Sequence, residues 1–218
     1  MAIQEAGVKS DTTPPPIRDE ILPHTSIFTN DTNTRSGVQS VGLAVHESWR
    51  VDHVKRLPSS SRLIGAEIRR KGAVVLVISV LLPPGLDYCP ASPPSPTDKP
   101  ESRRRKTDLA EARLILDTVQ RWAAPYDLAV VLGDMNCTII PGLDRGTARI
   151  PAVSPLSESI LSPSSSFTDA FRFLHPHLHG WTRERARIDY ALVKCKTQEQ
   201  VRSCDIDWGF PSDHAGLE

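Results

Sequence analysis

One apolar stretch, residues 73–82, constrains the fold of this 218-residue chain more than any other segment. Only Ser79 interrupts it, and the run Val-Val-Leu-Val-Ile at 74–78 has no polar face. The stretch is about half as long as a bilayer requires, and a strand that is apolar on both faces must be covered on both. The sequence therefore predicts the central strand of a sheet with further layers on either side.

Shorter segments around this stretch predict the remaining elements. Strands are expected at residues 26–28, 42–45, 51–54, 63–68, 128–132, 187–193 and 201–208. A helix is expected over 107–123, capped by Thr107 or Asp108 and ended by Pro125, and a shorter helix over 167–174. This order predicts an α/β fold with largely antiparallel sheets, and the chain has no glycine-rich nucleotide-binding loop.

Composition limits the class of protein. The 26 basic and 26 acidic residues leave no net charge, which excludes a strongly basic nucleic-acid wrapper and requires any phosphate-binding surface to be local. No signal peptide is visible and the four cysteines form no CxxC pair, so we expect reduced thiols in an intracellular compartment; a DNA substrate would be reached in the nucleus. We expect one domain over 1–218, with a proline-rich, basic surface loop at 83–106.

Three polar motifs each follow or begin an apolar strand. The first, at 132–136, contains Asp134 and Asn136; the second, at 187–192, contains Asp189; the third, at 211–214, contains Asp213 and His214. Carboxylate and amide oxygens suit Mg²⁺, and an imidazole beside a carboxylate can stabilise a phosphoryl oxygen. The motifs together predict metal-assisted hydrolysis of a phosphodiester or a phosphomonoester.

Further charged residues are candidates for the same site. Glu5 follows a short apolar stretch and adds a fourth carboxylate. Arg183, Arg185 and Arg187 alternate ahead of Asp189 and would share one face of an extended strand, directed towards phosphate or towards solvent. We take Arg185 and Arg187 as candidate contacts to the substrate phosphate. Taken singly, each candidate is more often a turn residue, an ion-pair partner or a solvated surface group.

With these motifs the sequence resembles the endonuclease/exonuclease/phosphatase superfamily, which has the DNase I-like, AP-endonuclease-like fold. Within it the chain is most similar to the endonuclease domain of non-LTR retrotransposons. The local signs are Gly-Asp-Met-Asn-Cys at 133–137, Leu-Asp-Arg at 143–145, Phe-Thr-Asp-Ala-Phe at 167–171 and Gly-Trp-Thr at 180–182. The resemblance implies a four-layer α/β sandwich, in which two mixed sheets pack together between outer helices.

The resemblance also implies a role for each site residue. Asp134 matches the residue that activates the nucleophilic water or protonates the leaving oxygen, and Asn136 matches the one that orients water and phosphate. Asp189 matches the carboxylate that fixes the tautomer of the catalytic histidine, and His214 matches that histidine, which contacts the scissile phosphate. The two residues implied at the metal are Glu5 and Asp213.

The chain departs from the family pattern at three places. The family's first strand, which ends in an Asn near the metal, and its last core strand are both expected to be absent. The family's Tyr-x-Pro-Asn pattern aligns with 81–84, where Leu81 and Pro84 replace the Tyr and the Asn. Neither replacement can donate a hydrogen bond from its side chain, and loss of one transition-state donor costs about 10²–10³ in rate.

The leading expectation is a Mg²⁺-dependent DNA endonuclease of retroelement type that leaves a 3′-hydroxyl, with Mn²⁺ as a substitute metal and no membrane association. One alternative is a phosphomonoesterase on the same fold. Another is a catalytically inactive relic or binding module, which the departures at Leu81 and Pro84 favour.

Overall fold

The computed structural model describes residues 2–3, 24–28, 41–86, 99–140, 142–146, 154–196, 200–207 and 214–217. Three helices and eleven strands lie in these ranges. The helices are α1 (Pro100–Ala123), α2 (Pro155–Glu158) and α3 (Ala170–Leu174). The strands are β1 (Ala2–Ile3), β2 (His24–Phe28), β3 (Gly42–His46), β4 (Arg50–Arg56), β5 (Leu63–Arg70), β6 (Ala73–Leu81), β7 (Ala129–Asp134), β8 (Phe167–Asp169), β9 (Asp189–Lys194), β10 (Ile206–Asp207) and β11 (Gly216–Leu217).

The largest sheet has six strands in the order β4-β5-β6-β7-β9-β8. Its β6 and β7 run parallel, and every other neighbouring pair is antiparallel. The apolar stretch forms β6, which lies inside this sheet between β5 and β7. Both the central strand and the largely antiparallel character that the sequence predicts are confirmed.

Both faces of this sheet are covered, as the two-sided apolar pattern of β6 requires. On one face Leu76, Ile78 and Val80 pack into a core with the buried side of α1. On the other face Val75 and Leu81 join a second core with residues of β3, in the three-stranded sheet β1-β3-β2. The described residues thus form three layers, the three-stranded sheet, the six-stranded sheet and α1, which correspond to three of the four layers of the predicted sandwich.

The proline-rich segment is shorter than predicted. Helix α1 begins at Pro100, with Lys99 as its N-terminal boundary residue, so neither Thr107 nor Asp108 caps it. Proline suits a first helical position because its missing N–H would have no helical partner there. The basic run at 103–106 is therefore helical rather than loop, and the side chain of Lys106 is buried. The other part of the segment, 87–98, lies outside the described residues.

Two more predicted elements differ from the structure. Residues 167–174 form strand β8 followed by helix α3 instead of one helix, because Asp169 accepts a hydrogen bond from the Arg172 amide (3.2 Å) and starts the helix there. The predicted strand over 201–208 is reduced, within the described residues, to β10, which pairs with β11. In the described ranges no helix combines the length and the apolarity needed to cross a membrane.

Candidate active site

Two neighbouring strands bring the two central carboxylates together. Asp134 is the last residue of β7, Asp189 is the first residue of β9, and the antiparallel register places them directly opposite each other. Both are buried, with 7% and 8% of their surfaces exposed. Because neighbouring residues of paired strands have nearby side chains, this register creates a buried pair of like charges.

Gly133 is required for this arrangement. It has φ +152°, and a Cβ there would lie 1.9 Å from the carbonyl oxygen of Val80 on the parallel strand β6. Any side chain at position 133 would push β7 away from β6. The Gly-Asp pair in the sequence therefore has a steric basis, since the glycine allows the close strand contact from which Asp134 emerges.

His214 completes a cluster of three side chains. Its Nδ1 lies 2.9 Å from Oδ2 of Asp189, so the carboxylate accepts a hydrogen bond from Nδ1–H and fixes the orientation of the ring. One ligating atom from each of Asp134, Asp189 and His214 lies within 4.8 Å of the others. We call these three residues the triad; they come from positions 55 and 25 residues apart in the chain.

Burial and mutual charge control protonation in the triad. Burial, and then the negative charge of Asp189, raise the pKa of Asp134 to about 7. The hydrogen bond to Asp189 raises the pKa of His214 and so favours its protonated form. At neutral pH the triad therefore contains a carboxyl, Asp134, that can take up or release a proton.

Asn136 lies beside Asp134 in a tight turn. Its φ is +48°, a conformation that asparagine tolerates better than most residues, and its amide donates to Oδ1 of Asp134 (2.8 Å). Its Nδ2 donates to the carbonyl oxygen of Leu82 (2.8 Å). These two hydrogen bonds orient both the Asp134 carboxylate and the Asn136 side chain.

Thr182 supports the triad and was not identified by the sequence reasoning. It is fully buried, and its hydroxyl accepts hydrogen bonds from the amides of Ile188 and Asp189 (both 3.1 Å). Its carbonyl accepts from the amide of Ala215 (2.7 Å), the residue next to His214. One side chain and its backbone thus connect the two segments that carry the Asp189–His214 pair. The Gly-Trp-Thr motif at 180–182 includes Thr182, but the motif gives no indication of these hydrogen bonds.

Arg187 is held in a buried ion cluster, which does not favour the predicted contact with the substrate phosphate. Only 1% of it is exposed. Its Nε donates to Asp144 (2.9 Å), and its two terminal nitrogens donate to Asp169 (3.0 and 2.5 Å). The sequence argument assumed an extended strand from 183 to 187, whereas Arg183 and Ala186 close a tight turn in which Glu184 has φ +43°.

The turn separates the other two arginines of the predicted stripe. Arg185 is exposed, and its side chain lies against Gly146. Burial raises the pKa of Asp134 and the hydrogen bond to Asp189 raises the pKa of His214, and the positive charge of Arg183 opposes both increases. Arg183 is therefore the arginine whose charge acts on the triad, although the sequence argument selected its neighbours.

Other predicted positions can be located relative to the triad. Glu5 and Asp213 lie outside the described residues. Leu81 is buried and pairs with Asp134 in the parallel register of β6 and β7, so position 81 places an apolar residue next to the site. Pro84 is exposed.

The donor set of the triad fits a hard divalent cation. Asp134 and Asp189 are close enough for the negative charge of Asp189 to raise the pKa of Asp134, and a bound cation would offset their repulsion. Asp134 and Asp189 supply oxygen donors. The described residues offer no cysteine in the cluster, which suits Mg²⁺ or Mn²⁺ better than a thiophilic metal.

Comparison with known proteins gives structural relatives only. No family model matches the sequence, and no curated protein does. Among solved structures, the catalytic domain of APE2 from Xenopus laevis superimposes with a TM-score of 0.71 at 21% identity, over 99% of this chain and 81% of that one. The chain has the DNase I-like fold.

Two structures of NExo from Neisseria are similar as well. One is a 3′ phosphatase bound to a product DNA hairpin (TM-score 0.69), and the other is described as a 3′-5′ exonuclease from Neisseria meningitidis (TM-score 0.68). Each is 19% identical to this chain, over 99% of this chain and 86% of the relative. The predicted fold class is therefore confirmed.

Proposed function

We propose that this protein is a metal-dependent phosphodiester hydrolase that cuts DNA as an endonuclease. The observation that carries the proposal is the convergence of Asp134, Asp189 and His214, whose ligating atoms lie within 4.8 Å of one another. The DNase I-like fold supports it, since the structural relatives APE2 and NExo are named as a catalytic domain, a DNA-bound 3′ phosphatase and an exonuclease. The retroelement origin rests on the sequence motifs alone.

The triad and its neighbour have complementary tasks in this reaction. Asp134, with a pKa of about 7, accepts a proton from the attacking water as its oxygen forms a bond to phosphorus. His214, held by Asp189, stabilises a non-bridging phosphoryl oxygen through its Nε2 while the bond from phosphorus to the leaving oxygen breaks, and the leaving alkoxide takes a proton from water to give the 3′-hydroxyl. Asn136 orients the water and the phosphate.

A divalent cation completes this assignment. Mg²⁺ would be held beside the triad by Glu5 and Asp213, the two metal ligands that the family resemblance implies, and its charge would offset the repulsion between Asp134 and Asp189. Once bound, it supplies Lewis-acid stabilisation of the charge that develops on the phosphoryl group. Mn²⁺ has similar ligand preferences and is expected to substitute for it.

The direct test is nicking of supercoiled plasmid in Mg²⁺. Wild-type protein should convert it to the open circle, while EDTA and Asp134→Asn should each abolish conversion. Asp117→Ala, which removes an exposed carboxylate from α1, is the matched control and should cut normally. Nicking that survives both EDTA and Asp134→Asn would contradict the proposal.

A second function, removal of a 3′-phosphate from DNA, is favoured by the similarity to the NExo 3′ phosphatase. A hairpin DNA with a 3′-phosphate separates the two reactions. Release of inorganic phosphate without internal cuts would support the phosphomonoesterase. Neither reaction, from a protein that melts cooperatively, would support the inactive relic that Leu81 and Pro84 suggest.

A further inference from the structure

A closed turn fixes the backbone of Arg183 beside Thr182, which is hydrogen-bonded to the segments that carry the triad. The amides of Thr182 and Arg183 both donate to the carbonyl oxygen of Ala186 (3.0 Å each), and the Ala186 amide donates back to Arg183 (2.8 Å). Glu184 takes the left-handed conformation that closes the turn. Three hydrogen bonds within five residues hold the backbone of Arg183 in place.

The position of this turn is fixed by the triad segments themselves. Thr182 is hydrogen-bonded to the Asp189 amide and to the Ala215 amide, and Arg183 is the next residue. Consecutive Cα atoms are about 3.8 Å apart, so the long, exposed side chain of Arg183 starts close to the segments that carry Asp189 and His214.

A positively charged side chain beside the triad would help a phosphodiester to enter the site. A phosphodiester approaching the triad meets two buried carboxylates, and the whole chain has no net charge to attract it. Leu81 and Pro84 provide no side-chain donors, and Arg187 is committed to Asp144 and Asp169. Arginine is well suited to the task because its planar group donates two hydrogen bonds to a phosphate.

We propose that Arg183 binds a non-bridging oxygen of the scissile phosphate and thereby takes over the phosphate contact that the chain lacks at Leu81 and Pro84. This inference rests on the proposed function, because it assumes that a phosphodiester binds at the triad. This contact differs from a general attraction to DNA, because Arg183 would bind the reacting phosphate itself. The same contact would therefore form with any phosphodiester that enters the site.

The first experiment compares kcat and KM on plasmid DNA and on bis(p-nitrophenyl) phosphate, a diester too small to reach beyond the site. Arg183→Ala should lower kcat/KM about tenfold to a hundredfold on both substrates, the usual effect of losing a hydrogen bond to a charged group. Arg183→Lys should recover part of the loss. Arg104→Ala, which removes an exposed charge from α1, should match wild type on the small diester.

The second experiment measures binding without cleavage. Fluorescence anisotropy of a short labelled duplex in Mg²⁺, with Asp134→Asn as the background, should show weaker binding when Arg183→Ala is added. An unchanged small-diester kcat/KM in Arg183→Ala, or a loss confined to Arg185→Ala, would overturn the inference.

The two proposals fail in distinguishable ways. If wild type cuts DNA and Arg183→Ala cuts it equally well, the inference fails and the proposed function stands. If wild type cuts nothing, but bis(p-nitrophenyl) phosphate displaces labelled DNA from wild type and not from Arg183→Ala, the proposed function fails and the phosphate contact stands. If wild type neither cuts nor binds DNA, both are overturned.

Discussion

At the scale of single residues, the site depends on side chains that support others. Gly133 allows the contact between β6 and β7, Thr182 connects Asp189 to the segment next to His214, and Asn136 orients Asp134. None of these contacts is to a substrate. Substitutions at such positions should therefore change both stability and turnover, and two of them give sharp predictions.

Gly133→Ala should be strongly destabilising. The new Cβ would lie 1.9 Å from the Val80 carbonyl oxygen, so the strands must separate in addition to the cost of the backbone conformation. We expect a loss of more than about 3 kcal/mol in the free energy of unfolding, measured by urea denaturation. Gly72→Ala is the control: it has φ +85° and open space, so it should lose only about 1–2 kcal/mol.

Thr182→Val should lower both stability and activity, because it removes the acceptor for the Ile188 and Asp189 amides while keeping the shape. Leaving buried donors unpaired costs about 1–3 kcal/mol. Thr182→Ser retains the hydroxyl and should restore most of the kcat on the small diester. Equal kcat values for the Val and Ser variants would show that the hydroxyl does not position Asp189.

At the scale of elements, a buried ion cluster joins three parts of the chain. Arg187 precedes β9, Asp169 ends β8 and begins α3, and Asp144 lies in the loop after β7. Arg172 also binds Asp144, at 2.7 Å. Arg187 stacks over the Tyr190 ring, 4.3 Å from its centroid. The cluster fixes the approach to β9 and therefore the place where Asp189 begins.

Arg187→Ala should destabilise the protein by about 3–5 kcal/mol, because it leaves the buried carboxylates of Asp144 and Asp169 uncompensated. Arg185→Ala, two residues away and exposed, should change the melting temperature little. Thermal unfolding of the two variants measures the contrast. Equal, small effects would mean that the cluster contributes no net stability and would reopen a surface role for Arg187.

At the scale of the whole molecule, the triad makes stability depend on pH. The folded-state pKa of Asp134 is about 7 against an ordinary value of 3.8, so between these values the folded protein binds more protons than the unfolded chain. The free energy of unfolding must then fall as pH rises from 3.8 to about 7. The raised pKa of His214 has the same sign, since its contribution is present below 6.5 and is lost as pH rises through the folded-state value.

Metal-free protein should therefore lose stability on going from pH 5 to pH 8, and Asp134→Asn should flatten that slope. Urea denaturation in EDTA over this range measures both. Mg²⁺ should raise the melting temperature more at pH 8 than at pH 5, because protons compete for the carboxylates. A pH slope that is unchanged in Asp134→Asn would show that this carboxyl does not titrate as we describe.

The elements that the sequence predicted best are those with a strong local pattern. The apolar run of β6 is compatible only with a strand that is covered on both faces. The Gly-Asp and Ile-Asp pairs predicted that carboxylates would lie at the ends of two strands, as Asp134 and Asp189 do. The start of α1 was missed because a proline-rich, basic segment has no local signal that distinguishes a first helical turn from a loop.

The sequence by itself determined which residues could do chemistry, because strand period and residue type are local properties. Only the tertiary structure decided which of them meet. Two arginines of one alternating stripe end in different surroundings: Arg187 is buried among carboxylates from two other segments, while Arg183 is exposed in the turn that Ala186 closes. The surroundings of each arginine depend on strand register and on contacts with residues far away in the sequence, and neither leaves a periodic pattern in the sequence.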